Sequence, residues 1–282
     1  MKIAKPIHFV FIEENKNRIE HLASLIKQLF PDIPKLIEIH YFNGSCEDKW
    51  EDALSEVWGQ PIFANLDPFG VGIPNKLITK LASNKGSELM VTFMSEWFNR
   101  FAILDNIDTG DQQFGTTEWR KVKDISTDGK ESFLVNQYTN TIKRAGFKFT
   151  LPFRLTNERG KSFFLIYATC HEKGLEKMKE SMWKTDPVNG TQFRDPRDPN
   201  QGILDFGKPA PNLTPLIRLL TDYIKETDHK AVTLDELKQF TLFETAFRPP
   251  HTKQAVKQML EERQLQRNPE SGNLSGITEV FF

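Results

Sequence analysis

The chain opens with apolar residues that change period. Ile7 to Glu13 (IHFVFIE) is a short apolar run ending on an acid pair, Glu13-Glu14, and it predicts a strand. From about Asn15 to Phe30 the period lengthens. Ile19, Leu22, Ile26 and Leu29 recur at helical spacing, and Pro31 and Pro34 stop the helix. Leu36 to Phe42 predicts a second strand, closed by Asn43-Gly44, and Asp48 to Trp58 a second helix. Ile62-Phe63-Ala64 then climbs to Asn65 and Asp67 and breaks at Pro68 and Gly70. That pattern predicts a buried strand with an acid at its carboxyl end. The order β-α-β-α-β is the signature of a parallel, doubly wound α/β sheet, in which ligands bind outside the carboxyl ends of the strands.

The pattern continues with a helix from Pro74 to Leu81, a strand from Leu89 to Met94 and a helix from Ser95 to Leu104. Asp105 to Asp128 is polar and aperiodic, interrupted by Phe114-Gly115 and Trp119, and predicts a surface excursion or lid. Lys130 to Arg144 is helical and closes at Gly146. Phe147 to Leu155 and Ser162 to Thr169 predict a hairpin across Asn157-Glu158-Arg159-Gly160, and Gly174 to Lys184 a helix. Thr185 to Asn212 is rich in Asp, Pro, Asn and Gly and loses apolar periodicity.

Beyond it come helices at Pro215 to Lys225, Thr233 to Phe240 and Thr252 to Arg263, then a small hairpin within Asn268 to Phe282. Thr233 and Glu236 have the spacing of a capping box. Three helices and a hairpin are the outline of a winged helix-turn-helix. The expected organisation is a Rossmann-like domain over 1–187, a linker over 188–212 and a winged helix over 213–282.

Composition narrows the classes. A net charge of -1 gives no global field to gather nucleic acid, so any such binding is local. Cys46 and Cys170 are far apart and fit no metal spacing; they read as reduced thiols of a cytoplasmic protein. No apolar stretch approaches the roughly 18 residues of a membrane span. None of the six histidines has a ligand neighbour in metal spacing. Gly70-Val71-Gly72 lacks the third glycine of a dinucleotide fingerprint. Cys170 and His171 are adjacent on a strand end and point to opposite faces, which argues against a catalytic dyad.

Two strand ends carry candidate chemistry. Glu13 could accept both hydroxyls of a cofactor ribose; equally, it could open a helix, where acids favour the dipole. Asp67-Pro68-Phe69-Gly70 has a carboxylate and a carbonyl to take the hydrogens of an exocyclic amine, and a ring to stack on a base. Methyl transfer to such an amine depends more on positioning than on a strong base. The competing reading is a turn. In the C-terminal recognition helix, His251, Lys253 and Lys257, with Arg248 just before it, could meet nucleic-acid phosphates, although a winged helix also serves as a protein-docking module.

Five motifs in order carry a resemblance: FIEEN from Phe11, NLDPFG from Asn65, FGTTEW from Phe114, FFLIYATCH from Phe163 and MKESMWK from Met178. Together they resemble the three-Cys-motif partner protein family, over most of the chain. The resemblance implies a class I S-adenosylmethionine-dependent methyltransferase with a C-terminal winged helix. It also implies a partner with a three-cysteine motif, itself similar to radical S-adenosylmethionine proteins. The DPFG element is similar to that of tRNA guanine-N2 dimethyltransferases, which implies a nucleobase amine in RNA or DNA as the target. By position, Glu13 would bind the cofactor ribose, Asn43 and Gly44 would flank the adenine, and Asp67, Pro68 and Phe69 would face the acceptor.

One departure stands out. The family's first strand and glycine-rich loop have no counterpart before Glu13. The expectation is therefore a sheet open in its middle and weak or no binding of S-adenosylmethionine. The alternative function is a catalytically incomplete adaptor that docks a partner or nucleic acid.

Overall fold

The computed structural model describes residues 6–68, 72–104, 108–195, 197, 210–227 and 231–282. The fold is mixed α/β, in two compact units, Met1–Thr150 and Leu151–Phe282.

The first unit begins with β1 (Ile7–Glu13), α1 (Lys16–Leu29), β2 (Ile37–Asn43) and α2 (Cys46–Ser55). Asn15 and Ser45 start the two helices, each accepting the backbone N–H three residues on. β1 and β2 pair in parallel, from Ile7 opposite Ile37 to Glu13 opposite Asn43. β3 (Phe63–Leu66), α3 (Asn75–Ser83) and β4 (Glu88–Phe93) follow, with β3 and β4 parallel, from Phe63 opposite Glu88 to Leu66 opposite Val91.

The parallel strands of the first unit do not all join in one sheet. β1 and β2 form a two-stranded sheet of their own, and β3 hydrogen-bonds to neither. For the same reason β3 is not the buried strand the sequence predicts: Phe63 is 58% exposed. A two-stranded sheet is marginal alone, and β1–β2 is held by α1 and α2 packing on it.

The predicted lid is also corrected. After α4 (Ser95–Phe101), which forms where a helix is expected, residues 108–126 hold α5 (Thr109–Phe114) and a 3-10 helix (Glu118–Asp124), and α6 (Thr127–Arg144) follows. Phe114, Trp119 and Val122 are buried. Phe114 stacks on Trp119 at 5.7 Å and meets Phe93, Phe98 and Tyr138 edge-on. Asp111 ties this segment together. It accepts from Trp119 Nε1 at 2.7 Å and from Arg120 Nε and Nη2 at 3.0 and 3.1 Å. Asp111 and Arg120 are thus internal partners, while Glu118, Lys121, Lys123 and Asp124 face solvent.

The second unit takes over within β5 (Phe149–Thr156), which forms the predicted hairpin with β6 (Ser162–Thr169). Asn157 Oδ1 holds the turn by accepting from the backbone of Arg159 and Lys161. α7 (Glu172–Thr185) follows, then β7 (Gln192–Arg194), parallel to β5, which makes a mixed sheet. β7 lies in the predicted linker and is ordered by Asp186, whose two carboxylate oxygens accept four backbone N–H groups from Val188 to Gln192.

α8 (Thr214–Glu226), β8 (Ala231–Thr233), α9 (Leu234–Glu244), α10 (Pro249–Glu261), β9 (Gln266–Asn268) and β10 (Glu279–Phe281) complete the chain. The short strands run antiparallel in the order β8-β10-β9. The Thr233–Glu236 capping box forms as predicted. Leu216, Leu220, Leu237, Val256 and Met259 fill the core between the helices, and Trp183 of α7 joins them.

That last contact explains why the units divide at Thr150 rather than in the predicted linker. Lys179 and Trp183 bind α7 to the C-terminal helices. The Lys179 side chain has no exposed surface, and its ammonium donates to the carbonyls of Thr241, Leu242, Thr245 and Phe247 at 3.1, 2.6, 2.6 and 3.0 Å. Thr241 and Leu242 belong to the last turn of α9, where helix carbonyls lack intrahelical partners, and Thr245 and Phe247 follow it. Trp183 Nε1 donates to Ala246 O at 2.9 Å.

Candidate functional site

The strand ends of the first unit come first. Glu13 and Asn43 are register partners at the last position of β1 and β2. Glu13 Oε1 accepts the N–H of Asn15 at 2.8 Å and lies 3.9 Å from the Arg18 guanidinium. Of the two sequence readings, this geometry is that of an acid opening a helix. Asn43 Nδ2 donates to the carbonyls of Glu13 and Glu14, both at 3.0 Å. Gly44 donates its N–H to Glu13 O at 3.2 Å. Its φ is +150°, and a Cβ there would press on the Lys49 side chain at 2.8 Å. Glycine is therefore required at this position by the turn itself.

Asp67 and Pro68 follow β3 directly, and Asp67 is exposed. Phe69, the expected stacking ring, lies outside the described residues. Asp67 and Pro68 line a cleft of about 500 Å³. Its lining takes His8, Val10 and Ile12 from one face of β1, and Phe63 to Leu66 from β3. The floor is apolar, built from Ala53, Leu54 and Val57 near α2 and from Leu77 and Leu81 of α3.

β1 has a hydrogen-bonded neighbour on one side, β2, and β3 also has one, β4. Among the described residues, two open strand edges therefore border the same apolar cleft. Sequence reasoning expected a sheet open in its middle but named none of these lining residues. Cys46 is at the rim, its thiol pushed above the usual range by burial and secondarily by Glu47. Cys46 and Cys170 do not form a disulfide with each other.

The basic residues of the C-terminal unit divide. Lys253 and Lys257 are exposed on α10 and, with Arg267, line a second cleft of about 720 Å³ between that helix and the β9 turn. Lys257 Nζ lies 3.6 Å from the Glu261 carboxylate. Arg248, half-buried, precedes α10 as its cap.

His251 is corrected. It is 6% exposed, its ring packs against Trp183 at 4.2 Å, and its Nδ1 accepts the Arg248 N–H at 3.3 Å. Burial first, and the nearby Arg248 cation second, pull its pKa down to about 4. At neutral pH it is an uncharged core residue and not a phosphate contact. The sequence signal was available: Ala255, Val256 and Met259 define the buried face of α10, and His251 falls on it.

Among the described residues no helix is long and apolar enough to cross a membrane. No model of a known protein family matches the chain, and no curated protein matches it in sequence.

Proposed function

We propose that this protein is a docking adaptor of methyltransferase-like architecture, which accepts an extended apolar segment of a partner polypeptide in the cleft between β1 and β3. The observation that carries this reading is the pair of strand edges, open among the described residues, that border one apolar cleft. Backbone N–H and C=O groups on such edges demand hydrogen-bond partners. An added strand satisfies both rows at once, while the floor selects apolar side chains. The resemblance in sequence makes a three-cysteine-motif protein the partner to try first. The C-terminal unit, read as a winged helix, supplies a second surface. There Lys253 and Lys257 are the candidates for RNA or DNA phosphates.

Backbone hydrogen–deuterium exchange with a soluble peptide of alternating Val and Ile, flanked by lysines, tests the docking. Slowed exchange at β1 and β3 is expected, and its loss when alternate peptide nitrogens are methylated. Unchanged exchange at both strands at millimolar peptide would sink the reading.

A second reading is favoured by Asp67 and Pro68 standing at this same cleft: a nucleobase-amine methyltransferase. S-adenosylmethionine fits the described residues poorly. Glu13 and Asn43 are bonded into their own turn. Gly72, the one glycine among the described lining residues, gives its N–H to Gln113 Oε1 at 3.1 Å. Calorimetric titration of S-adenosylmethionine decides between the readings. The adaptor reading expects no micromolar binding, with or without the docked peptide. Binding that appears only with the strand, together with methylation lost in Asp67→Ala, would replace the adaptor by the enzyme.

A further inference from the structure

The parallel pairing of β1 and β2 puts His8 opposite Glu38 and Val10 opposite His40. Register partners share a face of the sheet, and so do alternate residues along a strand. His8, Glu38 and His40 therefore project to one side, although 32 positions separate the two histidines in sequence. His8 Nδ1 lies 3.1 Å from His40 Nε2 and 3.4 Å from Glu38 Oε2, and His40 Nε2 lies 3.9 Å from the same oxygen. Both imidazoles are largely shielded, with side-chain exposures of 11% and 22%.

We infer that His8 Nδ1, His40 Nε2 and Glu38 Oε2 form a binding site for a divalent transition-metal ion of the zinc type. Three distances argue for this. A tetrahedral zinc ion with bonds of about 2.0–2.1 Å to nitrogen and oxygen sets its ligand atoms about 3.3–3.4 Å apart. The observed edges bracket that value, so small rotations about the terminal side-chain torsions, which are broad, suffice.

The ligand chemistry fits as well. Two imidazoles and one carboxylate are a donor set of zinc sites that keep a fourth position open. A further carboxylate stands behind the set: Glu56 Oε2 is 3.7 Å from His40 Nδ1, the ring nitrogen not facing the proposed ion. A carboxylate in that place fixes the tautomer that leaves Nε2 free to bind metal. An ion here would clamp β1, β2 and the end of α2 together, at the wall of the β1–β3 cleft that His8 also lines. The site was invisible in sequence spacing because register, not chain proximity, assembles it.

The test uses the full chain, stripped of metal with a chelator. Zinc chloride is titrated by calorimetry, and cobalt(II) is followed by its visible spectrum. One equivalent of zinc and the intense bands of four-coordinate cobalt are expected. His8→Ala and His40→Ala should each weaken binding roughly 100-fold. Glu56→Gln, acting through His40, should weaken it roughly 10-fold. His21→Ala, on an exposed face of α1, should leave it unchanged. Imidazole nitrogen NMR shifts on the unmodified chain keep the test independent of variant folding: zinc must move His8 Nδ1 and His40 Nε2 together. Failure to bind zinc, or binding that persists in the folded His8→Ala/His40→Ala variant, would overturn the site.

Discussion

The two units meet the same problem in opposite ways. Each contains backbone groups that its own helices and strands do not satisfy. In the second unit these are carbonyls at and just beyond the end of α9, and one buried side chain, Lys179, reaches four of them. In the first unit they are the outer edges of β1 and β3, left facing a cleft. A need met from inside closes a core. A need left open, beside an apolar floor, is a surface that something else can complete. The contrast also explains the burial patterns: α8, α9 and α10 bury continuous apolar stripes, while Phe9 and Phe63 of the open-edged strands remain 48% and 58% exposed.

The contrast breaks most sharply at Lys179. Lys179→Met removes a donor shared by four carbonyls in the core, so a loss of about 3–5 kcal/mol is expected in urea unfolding. A loss under about 1 kcal/mol would show that the lock carries little of the second unit's stability.

His251 probes the same core by pH. Its pKa is about 4 in the folded chain, below the ordinary histidine value. The unfolded chain therefore binds more protons between about pH 4 and 6.5. The stabilisation is complete above that window and declines as pH falls through it, by about 1.4 kcal/mol per unit. His251→Asn, which cannot titrate there, should give a flatter urea midpoint between pH 4.5 and 6.5. Parallel pH slopes for the two proteins would remove His251 from the core account.

In the first unit, Leu54→Lys sets a charge on the cleft floor. It should weaken docking of the apolar peptide at least tenfold, about 1.4 kcal/mol, while leaving the melting temperature nearly unchanged. Undiminished peptide affinity, read by fluorescence anisotropy, would place the docking elsewhere. The smallest effect is expected at the capping box, where Thr233→Ala should cost about 1 kcal/mol, again by urea unfolding.

Much of the local structure was legible in sequence. Ile19, Leu22 and Ile26 mark α1 by period, Asn15 and Thr233 mark helix starts by their side-chain oxygens, and Asn157 with Gly160 marks the β5–β6 turn. Short-range pattern suffices there because the partners are three or four residues apart. It failed over 105–128, where Asp111, Trp119 and Arg120 satisfy one another inside the unit and so interrupt the apolar period. It failed again at Asp186, whose carboxylate orders a stretch that composition marks as linker.

The candidate sites divide along the same line. Sequence alone determined that the first strands are short and apolar, that Glu13 ends the first and Asp67-Pro68 stops the third, and that Lys253 and Lys257 share a helix face. Those properties depend on residue type and local spacing. Tertiary structure decided that Glu13 and Asn43 serve their own turn, that β1 and β3 stand apart across a cleft, that Lys179 locks α9, and that His8, Glu38 and His40 converge. Each of these rests on strand register or helix packing between residues distant in the chain, and one-dimensional spacing carries no record of either.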